Sequence, residues 1–214
     1  MEETCIHPVP EDGIIFHKDT IEIEETMIHE DYTGARITLI ATLGNARIPI
    51  QIDIGFTDLI TPKARNLSFP ALLNDMEMAT LLGYPLESII SEKFHAMVRK
   101  ADINSRLKDF YDIWMLCEQN EFQGSVLQKA ISTTFRHRET LITPSLPQAL
   151  SNEFVEKQQR QWQAFLTKNK LLTGNLVSFL TVVEKLRAFL MPPVEAITLE
   201  QPFTRFWKAG KGWE

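Results

Sequence analysis

Between Arg47 and Gly55 the chain reads RIPIQIDIG, with Ile48, Ile50, Ile52 and Ile54 at every second position. A helix repeats its faces every 3.6 residues and cannot use that pattern. A strand puts all four isoleucines on one face and Arg47, Pro49, Gln51 and Asp53 on the other. Pro49 has no N–H to give a ladder, which favours an edge position or a bulge. ARITLIATL (35–43) groups Ile37, Leu39, Ala41 and Leu43 in the same way, and GNA (44–46) makes the turn between the two runs. Upstream, GIIFH (13–17) and TIEIEET (20–26) are short alternating runs split by Lys18-Asp19, which reads as another hairpin. The first sixty residues therefore predict a small antiparallel sheet that ends on a carboxylate, Asp53, before a glycine turn.

From about residue 68 the period changes to 3.6. PALLNDMEMATLLG (70–83) reads as a helix stopped by Gly83, and Pro85 opens LESIISEKFHAMVRK. Asn104 or Ser105 can cap the helix that begins at Arg106. Further helices are expected over 123–137, 148–169, 175–191 and 202–209, with TPSLP (143–147) and MPP (191–193) as linkers. The expected class is α+β: a small, mainly antiparallel sheet in residues 1–67, followed by a helical domain over 68–214.

With 214 residues, 44% of them hydrophobic and 23% charged, the chain can bury a sizeable core. No apolar run approaches the roughly 20 residues of a membrane span. The acidic N-terminus MEETCIHPVPEDG is unlike a signal peptide. Cys5 and Cys117 stand too far apart for a metal knuckle and suggest no disulfide framework, so a reducing cytoplasm is expected. The net charge of −6 is uneven: residues 1–112 hold 10 Lys and Arg against 19 Asp and Glu, and residues 113–214 hold 12 against 9. All nine aspartates lie at or before Asp112. That balance does not describe a general nucleic-acid binder, since any basic surface would have to be local.

Two helices carry the chemistry. Over residues 86–100, Leu86, Ile89, Ile90, Phe94 and Met97 form an apolar stripe with Lys93 in its middle, and Ser88, Ser91, Glu92 and His95 lie opposite. An ammonium there must find an anion or reach solvent. It can snorkel, pair with an aspartate, or face a cleft that handles phosphate or a catalytic carboxylate. Glu92-x-x-His95 has the spacing of di-iron bundles, but there is no second copy, and surface polarity accounts for it. On the next helix, Leu107, Phe110, Ile113, Trp114 and Cys117 make the core stripe. Lys108, Asp109 and Asp112 share another face with Leu116, as the wall of a partly covered cleft would.

Four strings, IQIDIGFTD (50–58), YPLESIISEKFHAMV (84–98), NSRLKDFYDIW (104–114) and QWQAFL (161–166), closely resemble the AbiEii family, nucleotidyltransferase toxins of type IV toxin–antitoxin and phage-abortive systems. The resemblance runs in order from about residue 12 to 168. It implies a polymerase-β-like nucleotidyltransferase core followed by a helical domain. It also implies transfer of a nucleotide from an NTP with Mg²⁺, an acceptor such as tRNA, and a winged-helix antitoxin as partner. Asp53 matches the family's lone strand aspartate, implied to be catalytic and a metal ligand. Lys93 matches its helix lysine, implied to be catalytic and nucleotide-binding. Arg106, Lys108, Asp109 and Asp112 match its last motif, the two cations implied to bind nucleotide and the two aspartates to be catalytic.

The family's first motif, a Gly-Ser turn followed by Asp-x-Asp, has no counterpart. No two aspartates stand two apart, and Gly124-Ser125 follows the other motifs. Two-metal transfer needs carboxylates bridging ions about 4 Å apart, and Asp53 alone offers one of about three. The expectation is an N-terminally shortened member with impaired transfer, or a non-catalytic remnant that binds an antitoxin or nucleic acid. A sheet edge left exposed could drive self-association.

Overall fold

A computed structural model of the chain describes residues 1–7, 12–29, 32–56, 59–71, 76–100, 106–171 and 177–214. They form two compact units, Met1–Asp58 and Leu59–Glu214.

The first unit holds a short helix α1 (Glu2–Cys5) and three strands, β1 (Ile14–His29), β2 (Tyr32–Leu43) and β3 (Ala46–Gly55). They pair antiparallel in the order β1-β2-β3. The β2–β3 turn is the two residues Gly44-Asn45, with Leu43 opposite Ala46 and Gly44 at φ +55°, where a side chain would be strained. Ile37, Leu39 and Ala41 stand opposite Ile52, Ile50 and Ile48, so the alternating runs share one apolar face, as period two requires. β3 is an edge strand, and Pro49 withholds a donor where no neighbour needs it.

The hairpin expected at Lys18-Asp19 is instead a bulge inside one long strand. His17 pairs with Ile40 and Glu22 with Thr38, which leaves residues 18–21 opposite Leu39 alone. The Thr20 hydroxyl explains why the strand does not turn. It accepts from Ile40 N at 2.9 Å and donates to His17 O at 2.6 Å, filling the ladder positions that the extra residues vacate.

The second unit opens with β4 (Arg65–Phe69) paired antiparallel to β5 (Ala79–Gly83). The helix expected over 70–83 is therefore not found. Residues 72–75 lie outside the described residues, and Ala79–Gly83 is extended, its backbone groups satisfied by β4 rather than by a helical turn. Five helices follow: α2 (Leu86–Arg99), α3 (Leu107–Gln119), α4 (Gly124–His137), α5 (Asn152–Lys168) and α6 (Phe179–Thr198), with a 3-10 turn at Gln148–Leu150. Arg106 holds the N-cap position of α3; the expected caps Asn104 and Ser105 lie outside the described residues. The Ser151 and Ser178 side chains cap α5 and α6, each accepting the N–H three residues on at 3.1 Å.

The helices enclose one core. Ile90, Phe94 and Met97 of α2 meet Leu107, Phe110, Ile113 and Cys117 of α3, Leu127 and Ile131 of α4, Trp162 of α5 and Val182, Leu186 and Phe189 of α6. The linker expected at residues 191–193 is part of α6, which runs through Pro192 and Pro193. Prolines forfeit two helical hydrogen bonds, but Phe189, Leu190, Pro193 and Val194 are buried, and that packing outweighs the loss.

The helix expected over 202–209 is also overturned. The segment forms β7 (Phe206–Lys208) and β8 (Gly212–Trp213), which join β6 (Phe122–Gln123) in a three-stranded sheet. Indole donors hold it: Trp207 Nε1 donates to Cys117 O at 2.7 Å and Trp213 Nε1 to Phe189 O at 3.0 Å. Gly124 marks a close approach, because a Cβ there would stand 2.5 Å from Phe203 Cδ1 and 2.6 Å from Arg205 O.

Candidate functional site

The apolar stripe of α2 packs into the core beside α3, and Lys93 lies among its residues. Its Nζ donates to Asp109 Oδ1 and to Asp112 Oδ2, both at 2.7 Å. Spacing along α3 places the two carboxylates three residues apart on one helical face, so a single ammonium reaches both. Lys108 adds a second donor to Asp112 Oδ2 at 2.6 Å, and Arg106 Nη1 stands 3.9 Å from Asp109 Oδ2. The side chains of Lys93, Asp109 and Asp112 are 22%, 12% and 23% exposed, against 46% for Arg106 and 72% for Lys108. The cluster is thus a half-buried lysine–aspartate centre with two cations at its mouth. Three positive and two negative groups leave it one positive charge.

Burial pulls the Lys93 ammonium toward neutrality, but the hydrogen bonds and charges of Asp109 and Asp112 outweigh it and hold the group above its ordinary value. Burial likewise opposes ionisation of Asp112. Lys108 and Lys93 prevail, and the carboxyl is held below the ordinary carboxylate range. Among the described residues, one oxygen, Asp109 Oδ2, is buried without a hydrogen-bond partner. An unpaired buried acceptor is costly, of order 1–3 kcal/mol, and marks the point where a hydroxyl or cation could complete the centre.

The opposite face of α2 is not solvated, contrary to the reading of Glu92 and His95 as surface polarity. Ser91, Ser88 and His95 are buried. Ser91 Oγ lies 2.9 Å from Thr134 Oγ1 on α4, Glu92 Oε2 accepts from Arg138 Nη2 at 2.7 Å, and His95 Nε2 lies 2.9 Å from Thr140 Oγ1. Helix α4 and the segment after it cover this face and satisfy its polar groups in pairs, an arrangement that a helical wheel of α2 alone cannot register. These contacts fix the rotation of α2 that aims Lys93 at α3.

Asp53 belongs to the sheet unit. It stands directly across from Arg36 in the β2–β3 ladder and accepts from Arg36 Nε at 2.7 Å, Arg36 Nη2 at 3.2 Å and Gln51 Nε2 at 3.0 Å. The Arg36 hydrogen bond holds its carboxyl below the ordinary value, against the opposing effect of desolvation. Sequence reasoning did not assign Arg36 a role. Its only signal was its place, Arg36 in ARITLIATL falling opposite Asp53 once the turn at Gly44 sets the register.

The carboxylates of both units are a poor match for magnesium. Both Asp53 oxygens accept from Arg36 or Gln51, Asp112 Oδ2 accepts from two ammonium groups, and Asp109 Oδ1 accepts from Lys93 while its Oδ2 lies 3.9 Å from Arg106. Among the described residues no three His, Cys, Asp or Glu side chains converge. Magnesium wants an octahedral oxygen set, and a two-ion clamp wants bridging carboxylates. The donors among the described residues do not fit that ion.

Among the described residues, no helix is long and apolar enough to cross a membrane. The chain matches the family model described as "Nucleotidyl transferase AbiEii toxin, Type IV TA system" over residues 1–190. No curated protein and no solved structure matches it.

Proposed function

The chain belongs to the AbiEii nucleotidyl transferase toxin family of type IV toxin–antitoxin systems, and from that premise we propose that its lysine–aspartate centre is the nucleotide-handling wall of the enzyme. The family implies a nucleotide substrate and an antitoxin partner. The finer reading is transfer of a nucleotide from an NTP to an RNA acceptor such as tRNA, in the cytoplasm.

The observation that carries this reading is the double hydrogen bond from Lys93 Nζ to Asp109 and Asp112. A partly buried ammonium in a cluster whose net charge is +1 is suited to phosphate oxygens, which can replace a carboxylate as its partner. Arg106 and Lys108, at the exposed rim, supply two more donors for the triphosphate. Asp109 Oδ2, which has no hydrogen-bond partner among the described residues, can accept a hydrogen bond from a ribose hydroxyl and orient it. The role of Asp53 rests on its match to the family's strand aspartate alone.

Transfer by this chain is slow, because the sequence has no Asp-x-Asp and the available carboxylates are already paired with cations. The second reading, a non-catalytic module that binds an antitoxin or nucleic acid, is favoured by the same self-neutralisation of Lys93. The test is to incubate the chain with labelled NTPs, Mg²⁺ and total tRNA beside Lys93→Met. Weak labelling that Lys93→Met abolishes supports the enzymatic reading. NTP binding without labelling supports the non-catalytic one, and labelling indifferent to Lys93→Met rejects the site.

A further inference from the structure

At the C-terminal end of the helical unit a cleft of about 470 Å³ opens between α6 and the β7–β8 hairpin. Lys185, Arg205 and Lys211 line it against one carboxylate, Glu184, with Trp207 and Trp213 among the walls. Lys185 is committed: it pairs with Glu118 at 3.0 Å, donates to Gly210 O at 2.9 Å and lies 6.0 Å from the Trp207 ring centre. Arg205 spends one N–H on the Trp213 carbonyl and makes no ion pair among the described residues. Lys211 is exposed and has no ion pair among the described residues.

Trp213 is a fixed platform. One face stacks on Phe189 at 5.7 Å and 6°, Phe203 and Trp207 meet it edge-on at 4.8 and 5.4 Å, and its Nε1 is tied to Phe189 O. Trp213 is partly exposed as a residue and lines the cleft. A held indole beside unpaired cations is the combination that binds a base by stacking and its phosphate by charge, with little regard to sequence. The volume suits on the order of one nucleotide unit. Four of these six residues lie beyond residue 190, outside the span matched by the family model, so this cleft is not inherited from the match.

We propose that this cleft binds a single strand of nucleic acid, with phosphate against Lys211 and Arg205 and a base against Trp213. The proposal does not depend on the catalytic reading, because binding here needs neither NTP nor Lys93.

Fluorescence anisotropy of the full chain with a labelled uridine oligonucleotide, without NTP or Mg²⁺, tests it. Two exposed charge reversals bracket the site. Lys211→Glu weakens binding by about tenfold and lowers the salt slope by about 0.7 for each phosphate no longer neutralised, whereas Glu184→Lys tightens binding several-fold. Both keep the parent's thermal midpoint, which separates a binding effect from misfolding. Trp213→Phe, retaining the stack on Phe189, weakens binding less than Lys211→Glu. Absence of oligonucleotide binding by the parent, equal affinity across both reversals, or equally tight binding of polyglutamate overturns the proposal. Loss of binding here together with intact Lys93-dependent labelling overturns this site and leaves the nucleotidyltransferase reading standing.

Discussion

Lys93 and Asp109 are 16 positions apart on different helices, and their charged atoms stand 2.7 Å from each other with each side chain at least three-quarters buried. An ion pair so placed differs from a surface pair in the cost of removing one member. Exposed pairs contribute under about 1 kcal/mol, but an orphaned buried charge costs several times more.

Lys93→Met is therefore expected to destabilise the helical unit by about 3 kcal/mol, since it takes the hydrogen-bonded cation from the largely buried Asp109, while Asp112 keeps Lys108. Asp109→Asn costs less, because Lys93 keeps Asp112. The double variant is less destabilised than the sum by at least about 1 kcal/mol. Denaturant unfolding of the three variants measures that coupling, and additive losses would show that the contact does not operate in solution.

The pH dependence is set by the directions of the shifts. Asp112 is held below its ordinary value of 3.8, so its contribution is full above that value and is lost as pH falls through the lower folded-state value. Lys93 is held above 10.5, so its contribution is full below that value and is lost as pH rises through the higher folded-state value. Asp112→Asn should flatten the acid limb of the stability profile and leave neutral pH as the region of greatest loss. Thermal midpoints of parent and variant below about pH 4 check this.

Asp53 and Arg36 form the contrasting case, more than a third exposed on an open ladder. Asp53→Ala should leave the thermal midpoint unchanged and the fold intact by circular dichroism. Any loss of nucleotide transfer in that variant then reports chemistry rather than unfolding.

The docking of the C-terminal sheet is expected to contribute to stability. Gly124→Ala drives a methyl into Phe203 and the Arg205 carbonyl and should cost about 1–3 kcal/mol. Trp207→Ala removes a fully buried indole and its bond to Cys117 O and should cost about 3–5 kcal/mol. Guanidinium melts rank the two, and a neutral Trp207→Ala would mean that β7 is not docked in solution.

Cys117 is fully buried, and burial pushes its thiol up to about 12. A thiol that stays protonated is not a nucleophile. Iodoacetamide at pH 8 should label the native chain at the partly exposed Cys5 and reach Cys117 only in denaturant, which peptide mass mapping resolves.

The antiparallel strands, the Gly44 turn and the edge position of Pro49 were legible in the sequence, because strand period and turn chemistry are local and act within a few residues. So was the oddity of Lys93, since a charge in the middle of an apolar stripe requires a partner wherever the helix packs. What Lys93 would meet was not legible, for α3 supplies both carboxylates and only the packing of α2 against α3 and α4 brings them within reach. The same holds for the buried Ser91 and His95, whose partners come from α4 and the segment after it. Local signals misled where distant contacts could repay a poor propensity. Pro192 and Pro193 stay helical because Phe189, Leu190 and Val194 bury that turn. Phe206–Lys208 is extended because Trp207 finds Cys117 O across 90 residues. Sequence by itself determined which segments have a periodic face and which charges are out of place. Tertiary structure decided what each face is covered by, because burial and hydrogen-bond completion depend on residues remote in the chain.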